Sequence, residues 1–519
     1  MIPIGNTWLR DRYQLNKLAL AHESYLGTRL STAREPDGRT IDTYPKHYEP
    51  KPANDPFAHI EFGLKYDGLE LALLRVVFSR VLAADVARFV AQSPTGRYAR
   101  QIGFFFEFLT GSTLALKTEI GGNYVPALDP ERYVTAPVVK VSRWRINDNL
   151  LGGREFSPVV RLTDGVRKGI RRDWRTEVDK ALQGAPSALL YRALSYFYAK
   201  ETRSSFLIER EEPGREREQR FIAVLREAGS VPAAESVGLA RLVTLQNVIA
   251  DPRYAEKTFR SVQNYVGQTM PGMKEHVHYV CPPPELVPSL MQGLANATTR
   301  LEAAPASVQA AATAFQFVFV HPFEDGNGRI HRFLMQDVLA RRGVVRKGAA
   351  LPLSATILDD MPGYDAALEA FSKGVMAQAA YELSGTGALA LNNAADVEPL
   401  WRYPDFTAQV EYLHAVMEST IRKLPEELGY LRNYDRAREE IRGIVDMPDQ
   451  RLSSLLRWLD VGGGRLSRNK RNQFPELTNS EIERAQAAYT DAFAPRAAPL
   501  PRPRLKKAHP KASKIVDAG

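Results

Sequence analysis

The chain has 519 residues, more than one ordinary hydrophobic core holds, so about two to four packed units are expected. Hydrophobic residues make up 44% and charged residues 25%, and the mean hydropathy is −0.30, which is typical of globular proteins and too polar for a chain built of membrane spans. The single cysteine, Cys281, excludes an intramolecular disulfide and argues against a cysteine-rich metal site. The first residues lack an apolar leader, so we expect a cytoplasmic protein without membrane contact.

The net charge of +9 is concentrated at the end of the chain. From residue 494 onward, seven basic residues stand against Asp517 alone, so the remainder is close to balanced. A stretch this rich in proline, alanine and lysine is typical of a disordered basic tail, which we expect over residues 496–519. Such a tail binds polyanions weakly.

The first part of the chain gives mixed signals. Residues 1–50 show little periodicity and are predicted to be a loosely structured lead-in. Apolar residues at helical spacing predict helices over 68–92 and 99–109. Short β-branched stretches among glycine, proline and asparagine predict loops with a hairpin over 120–165. We therefore expect residues 1–180 to form an N-terminal domain that is mostly helical with loop-rich parts.

Helical patterning dominates after Pro186, which we place in a first helical turn. The predicted fold class is mainly α, with a core domain over 181–390 and a C-terminal domain over 391–495. The segments with a helical apolar pattern are 187–209, 216–228, 234–249, 285–297, 307–320, 330–341, 363–380, 400–424, 434–445, 449–459 and 481–493. Asn479 or Ser480 is the expected cap of the last helix.

The segment FVFVHPFEDGNGRIHRFLMQDVL joins two apolar helices through a glycine-containing turn. Pro322 ends the first helix at His321, and Gly326 and Gly328 allow a tight path into the second. The first N–H groups of a helix lack intrahelical partners and attract negative charge, and glycines let a phosphate approach them. The sequence therefore predicts an anion site at this turn.

The side chains around the turn suit phosphate chemistry. Asp325 is a hard oxygen ligand of the kind that Mg²⁺ prefers. Arg329 and Arg332 are three residues apart and so lie on one helical face, where their guanidinium groups can clamp phosphate oxygens. His321 titrates near neutrality and is the natural base for an incoming hydroxyl.

The residues HPFEDGNGRIHR match every specified position of the motif HPFx[D/E]GNGRxxR, so the chain resembles the Fic family. The resemblance implies a helical core with a β-hairpin flap and transfer of AMP from ATP, with Mg²⁺, to a Tyr, Thr or Ser hydroxyl of a target protein. It implies that His321 deprotonates the hydroxyl and that Asp325 holds Mg²⁺. The implied phosphate ligands are Gly326, Asn327, Gly328, Arg329 and Arg332. The implied anchor of the loop is Phe323. His331, at a free position of the motif, is expected on the surface.

A second segment resembles the inhibitory helix of this family, which we expect over about 187–210. Ser205 and Glu209 match the pattern [S/T]xxxE[G/N], and the resemblance implies that Glu209 pairs with Arg332 and displaces a phosphate. Arg210 departs from the pattern, because glycine or asparagine is usual there. Helix termination at this point is therefore open, and the alternative is a solvated glutamate in the run 209–212.

Two further parts resemble modules that accompany the family. Residues 259–285 resemble the family's flap, a β-hairpin that we place at about 266–284. Its turn is expected over 270–273 and its returning strand over 275–280. The alternative is an ordinary surface hairpin. Residues 449–493 have the size of a small winged-helix unit, and their basic stretch allows weak DNA binding or docking of a partner.

Three readings of function stay open. The first is AMP transfer restrained by Glu209, with self-modification and homo-oligomers compatible with it. The second is a Fic enzyme that uses another nucleotide or a phosphorylated metabolite, or that removes AMP. The third is a nucleotide-gated regulator that binds DNA or a partner. His321 favours an enzyme, because phosphate binding alone needs no base.

Overall fold

The computed structural model describes residues 1–15, 17–35, 39–270, 274–346, 349–385 and 387–494. Contacts divide the chain into two compact units, residues 1–425 and 426–519. Helices predominate, and the predicted mainly α fold class is confirmed. The finer boundaries expected near residues 180 and 390 lie inside the first unit and stay predictions, and the expected tail lies outside the described residues.

The first part of unit 1 contains groups of strands and groups of helices in turn. Its strands are β1 (Ile2–Ile4), β2 (His22–Gly27), β3 (Ser31–Arg34), β4 (Thr40–Pro45), β5 (Val125–Pro126), β6 (Val139–Val141) and β7 (Ile146–Asp148). Its helices are α1 (Gly5–Arg12), α2 (Pro56–Phe62), α3 (Leu71–Arg80), α4 (Ala83–Gln92), α5 (Arg97–Thr110), α6 (Asp164–Ile170) and α7 (Trp174–Ala181).

The loosely structured lead-in predicted for residues 1–50 is wrong. Strands β1 to β4 form one sheet in the order β1-β2-β4-β3, in which β2 and β4 run parallel and the other neighbours antiparallel. The buried carboxylate of Asp67 supports this sheet by accepting the Asn6 N–H at 2.7 Å and the Ser24 hydroxyl at 2.5 Å. Those partners lie 61 and 43 residues away in sequence, so a search for local periodicity misses them.

The helices and the hairpin predicted over residues 68–165 are present in the structure, although one predicted helix is divided in two. The helix predicted over 68–92 is two helices, α3 and α4, because Val81 and Leu82 between them are extended, with ψ of 150° and 135°. Helix α5 ends as predicted, with Gly111 at a φ of 74°. The predicted hairpin is the antiparallel pair β6–β7, which β5 joins in parallel.

The second part of unit 1 is mostly helical. Its elements are α8 (Ser187–Ile208), α9 (Arg215–Arg226), α10 (Ala233–Ser236), α11 (Leu239–Ile249), β8 (Tyr265–Met270), β9 (Lys274–Val280), α12 (Val287–Arg300), α13 (Ala306–Val320), α14 (Asn327–Arg341), α15 (Leu353–Asp359), α16 (Met361–Gln378), β10 (Tyr381–Leu383), β11 (Leu389–Leu391), α17 (Ala394–Arg402) and α18 (Thr407–Ile444).

Some predicted boundaries in this part are wrong. Pro186 lies at the N-cap of α8 rather than in its first turn. Gly238 separates α10 from α11, where one helix was predicted over 234–249. The helix predicted over 400–424 is interrupted, because α17 ends at Arg402 and α18 begins at Thr407, and the helix predicted over 434–445 is the last part of α18 rather than a separate element.

Two consecutive helices, α13 and α14, form the frame of the site. They pack against each other, α12 packs on α13, and α8 packs on α9, α14 and α15. Phe315, Phe317 and Phe333 are completely buried between these helices. Burial of each such ring contributes about 2–3 kcal/mol, so the turn between α13 and α14 is held from both sides.

Unit 2 contains the end of α18 with α19 (Asp449–Val461), α20 (Arg468–Arg471) and α21 (Asn479–Phe493). Its core includes Leu452, Leu456 and Ile482. The N-cap of α21 is Thr478, which directly precedes the predicted candidates Asn479 and Ser480. The Thr478 Oγ1 accepts the Glu481 N–H at 3.2 Å, and the Glu481 carboxylate accepts the Thr478 N–H at 2.7 Å.

Across the described parts of both units, no helix combines the length and the apolarity that crossing a lipid bilayer requires.

Candidate active site

The turn between α13 and α14 has the backbone that the sequence predicts. His321 is the C-cap of α13 and adopts a left-handed conformation with a φ of 52°. Gly326 precedes α14 with a φ of 89°, a conformation that costs glycine little. A non-glycine residue at positive φ is uncommon and often marks a functional position. The imidazole therefore leaves the helix end at a fixed and unusual angle.

Asn327 and Phe323 hold the loop closed. Oδ1 of Asn327 accepts the Phe323 N–H at 3.1 Å, and its Nδ2 donates to the Phe323 carbonyl at 2.8 Å. The Phe323 ring is completely buried, with its centroid 5.8 Å from Phe259 and 6.5 Å from Phe317. The side chain of Asn327 is thus used to shape the loop, which leaves its backbone amide for an anion.

The hydrogen bonding of His321 defines which ring nitrogen is free. Nδ1 lies 3.1 Å from the Val318 carbonyl, which can only accept, so Nδ1 carries the proton and Nε2 carries the lone pair of the neutral ring. Burial lowers the pKa of His321 to about 4, and the charge of Arg260 acts in the same direction. At neutral pH the imidazole is therefore an uncharged base.

The carboxylate of Glu209 lies at the predicted anion site. A side chain at Gly328 would collide with Glu209 Oε1, so the acid lies directly over the first turn of α14. The same Oε1 accepts a hydrogen bond from Arg332 Nη2 at 2.8 Å. Burial acts to raise the pKa of Glu209, but the charge and hydrogen bond of Arg332, together with the charge of Arg329, outweigh it and lower that pKa. A charged carboxylate thus lies where helix N–H groups favour a phosphate oxygen.

Arg332 is held by the same helix. Its Nε donates to the Ser205 hydroxyl at 2.9 Å and its Nη2 to the Ser205 carbonyl at 2.7 Å. Its Nη1 is buried, lies near the Cβ position of Gly328, and has no hydrogen-bond partner among the described residues. An unsatisfied buried N–H is costly, so this atom is a ready donor for a ligand oxygen.

Arg329 has a carboxylate on each side. Its Nη2 is 2.6 Å from Asp325 Oδ1, and its Nη1 is 3.1 Å from Glu211 Oε2. Sequence reasoning missed Glu211. Its place two residues beyond Glu209 was visible, but the family pattern gives a role only to Ser205 and Glu209.

The open question at Arg210 has a clear structural answer. Helix α8 ends at Ile208, and Arg210 adopts a φ of 58°, the conformation that glycine or asparagine favours. The Glu211 N–H bonds the Phe206 carbonyl and the Arg210 N–H bonds the Leu207 carbonyl, both bonds of a Schellman motif. The helix therefore terminates despite the arginine, and the left-handed backbone costs about 1–2 kcal/mol.

The surroundings of Asp325 suit Mg²⁺ bound mainly by phosphates. Its Oδ1 accepts the Gly326 N–H and an Arg329 N–H, and its side chain is 39% exposed, so Oδ2 is open to a ligand. No cluster of three or more histidine, cysteine, aspartate or glutamate side chains suited to a metal occurs in the part of the chain that the structure describes. Mg²⁺ commonly binds through one or two carboxylates and substrate phosphates, and Asp325 fits that mode.

His331 is not on the surface as predicted. It is completely buried, its Nδ1 donates to the Ala314 carbonyl at 2.7 Å, and its ring lies 4.8 Å from that of Phe315. Helix α14 is covered on every side, so a free motif position in it still faces the core. The role of His331 is packing of α14 against α13.

The predicted hairpin exists beside this turn. Strands β8 and β9 pair antiparallel, with a register shift between Val266 and Gly267. The turn predicted over 270–273 falls mainly on residues outside the described ranges. Cys281, which follows β9, is buried as expected of a packed residue.

Two solved structures are similar to this chain. It is similar in structure to a Fic family protein from Desulfovibrio desulfuricans G20, at 19% identity and a TM-score of 0.35 over 61% of this chain and 86% of that one. It is also similar to a Fic domain containing signaling protein from Bacteroides thetaiotaomicron VPI-5482, at 18% identity and a TM-score of 0.33 over 51% and 96%. No curated protein matches.

The model of the Fic/DOC family matches residues 239–339. The match runs from α11 into α14 and includes the turn that carries His321 and the two arginines. Together with the motif, this match shows a Fic/DOC family domain over residues 239–339.

Proposed function

We propose that this protein transfers AMP from ATP to a Tyr, Thr or Ser hydroxyl of a target protein, and that Glu209 restrains the reaction. Fic domains generally transfer a nucleoside monophosphate to proteins. The observation that carries the proposal is the position of the Glu209 carboxylate over Gly328, where it pairs with Arg332. A carboxylate in that place marks where phosphate oxygens bind when it leaves.

The reaction needs one base and one anion site. The target hydroxyl oxygen attacks the α-phosphorus of ATP, its proton passes to Nε2 of His321, and the bond to the bridging oxygen of pyrophosphate breaks. The first N–H groups of α14 and the guanidinium of Arg332 stabilise the phosphate charge. Mg²⁺, when bound at Asp325, supplies further neutralisation of the phosphates.

The restraint is a competition for one site. Glu209 Oε1 already receives the Arg332 hydrogen bond and covers Gly328, so a phosphate group and this carboxylate exclude each other. Removal of the carboxylate frees Arg332 and the N-terminus of α14 together. We therefore expect Glu209→Gly to bind ATP more tightly and to transfer faster.

The test uses labelled ATP with Mg²⁺ and follows label on the protein itself or on added acceptor proteins. We expect Glu209→Gly to label more than wild type and Glu209→Gly/His321→Ala to label not at all. Glu212→Gly, which removes an exposed glutamate of the same run, is the matched control and should behave as wild type. If Glu209→Gly neither tightens ATP binding nor raises labelling, the inhibitory role is wrong.

Competition identifies the donor. Unlabelled GTP, CTP and UTP, and metabolites that carry a phosphoanhydride bond, are added to the Glu209→Gly reaction. If one of these donors is used in preference to ATP, AMP transfer is wrong and transfer of another group takes its place.

A further inference from the structure

We propose that Arg260 positions His321 for the transfer reaction and links it to the flap. This inference rests on the proposed function for its kinetic consequence but on geometry for the contact itself. Arg260 lies in the loop between α11 and β8, sixty-one residues from His321 in sequence. We assign Arg260 no part in the chemical step, because its side chain donates to the backbone carbonyl of His321.

Arg260 caps the helix end that carries the base. Its Nε donates to the His321 carbonyl at 2.7 Å and its Nη2 to the Val320 carbonyl at 3.3 Å. Its backbone N–H donates to the Pro322 carbonyl at 2.9 Å. The last carbonyls of a helix have no intrahelical donors, so one side chain here satisfies two consecutive ones and fixes the left-handed turn at His321.

The other end of the same guanidinium holds the base of the flap. Nη2 donates to the Pro282 carbonyl after β9 at 2.5 Å, and Nη1 donates to the Val262 carbonyl before β8 at 2.7 Å. The flap contributes a second bond to the same helix end, from the Tyr279 hydroxyl to the Phe319 carbonyl at 2.7 Å. The β8–β9 hairpin and the helix end that carries His321 are thus both held by the side chain of Arg260.

The surroundings of Arg260 argue against a role in stability alone. Arg260 is 3% exposed, and the acceptors of its side-chain hydrogen bonds among the described residues are all backbone carbonyls. A buried cation without a carboxylate is expensive, because carbonyl dipoles only partly replace water. Only an arginine has a planar fork that reaches four carbonyls at once.

The predicted consequence is a loss of turnover without a loss of nucleotide binding. The phosphates are expected on α14 and its arginines, to which Arg260 makes no hydrogen bond among the described residues, whereas the imidazole is carried by the residue whose carbonyl Arg260 holds. A displacement of a reacting group by about 1 Å costs on the order of 100-fold in rate. Lysine keeps the charge but not the fork, so it should restore only part of that loss.

The kinetic test compares Arg260→Gln and Arg260→Lys in the Glu209→Gly background, with Arg100→Gln and Arg100→Lys as matched controls. Arg100 is also 3% exposed and also donates to carbonyls, those of Gly96, Asn123 and Arg145. We expect Arg260→Gln to lower kcat about 100-fold with the Kd for ATP unchanged, Arg260→Lys to lie between, and the Arg100 variants to keep kcat. Full kcat in Arg260→Gln, or an equal loss in Arg100→Gln, would overturn the proposal.

A second readout does not depend on activity. Nitrogen-15 NMR of histidine-labelled protein reports which ring nitrogen carries the proton, and the His321 signal is the one missing in His321→Ala. We expect the Nδ1-protonated signal in the parent and in Arg100→Gln, and its shift or broadening in Arg260→Gln. If Glu209→Gly shows no transfer at all, the proposed function fails while this signal still decides the role of Arg260; an unchanged signal in Arg260→Gln contradicts that role.

Discussion

At the scale of single residues, the site depends on one imidazole whose surroundings keep it neutral. Nδ1 of His321 is used by the Val318 carbonyl, which leaves Nε2 as the acceptor of a proton. Burial lowers the pKa of His321 to about 4, and the bond to Val318 opposes that shift only in part. The base is therefore ready at pH 7 and becomes charged only in strong acid.

This pKa gives a pH prediction. A lowered pKa means that the neutral form is fully present well above pH 4 and is lost as the pH falls through about 4. We expect kcat/KM of Glu209→Gly, which reports the pKa of the free enzyme, to stay flat from pH 8 to about 5.5 and to fall only below that. Circular dichroism at each pH verifies that the fold persists. A half-maximal kcat/KM near pH 6.5, the value of a free histidine, would contradict the described environment.

The motif was predictable because its chemistry is local in sequence. His321, Asp325, Gly328 and Arg332 lie within one turn and the helix that follows, so their spacing alone predicts their arrangement. Glu211 and Arg260 were not found, because each reaches the site across more than sixty residues of sequence. His331 was misplaced for a related reason: the burial of α14 on all sides comes from neighbours that the motif does not contain.

At the scale of elements, the end of α8 determines how firmly the Glu209 carboxylate is held. Glu209 is the C-cap of this helix, and Arg210 after it is left-handed. A side chain in that conformation is strained, whereas glycine is not. The hold of α8 on Arg332 is therefore weaker than its contacts to Arg332 alone suggest.

We expect Arg210→Gly to tighten the restraint and Arg210→Val to loosen it. Glycine removes strain of about 1–2 kcal/mol, part of which is offset by its greater freedom when unfolded. A β-branched residue at positive φ is worse than arginine. Basal self-labelling by otherwise wild-type protein should fall in Arg210→Gly and rise in Arg210→Val. The opposite order would show that the helix end does not control Glu209.

Glu211 provides a second carboxylate that, like Glu209, pairs with an arginine of the motif. Glu211 holds Arg329 while Glu209 holds Arg332, so Glu209→Gly alone leaves one motif arginine engaged. Because Glu211 is 36% exposed, its pair contributes at most about 1 kcal/mol.

We expect Glu209→Gly/Glu211→Gln to bind ATP about fivefold more tightly than Glu209→Gly, which corresponds to about 1 kcal/mol. Glu209→Gly/Glu212→Gln is the control with a change at an exposed neighbour. Calorimetric titration measures both, and equal affinities in the two double variants would remove Glu211 from the mechanism.

At the scale of the whole molecule, the α-helical character and the turn between α13 and α14 were predictable from the sequence, but the N-terminal sheet was not. Helices leave a periodic apolar pattern within one segment. The sheet of β1 to β4 joins short strands through partners such as Asp67 that lie far along the chain. Long-range pairing of that kind needs the assembled fold to be seen.

Unit 2 carries a separate prediction. Helix α20 contains Arg468, Lys470 and Arg471, and Arg468 is exposed. If the regulator reading is right, the full chain binds duplex DNA with an affinity that falls steeply with salt, and Arg465→Glu/Arg468→Glu weakens it. Fluorescence anisotropy at two salt concentrations measures this, with Arg88→Glu, an exposed arginine of unit 1, as control. Equal binding by both variants would contradict DNA binding through unit 2.

The central claim is that the N-terminus of α14 is a polyphosphate site covered by Glu209. Calorimetric titration of Mg·ATP into wild type, Glu209→Gly and Glu209→Gly/Arg332→Ala tests it most directly. We expect weak binding in the first, clearly tighter binding in the second, and loss of that gain in the third. If Glu209→Gly binds neither ATP nor any other phosphorylated donor, the account of this site is wrong.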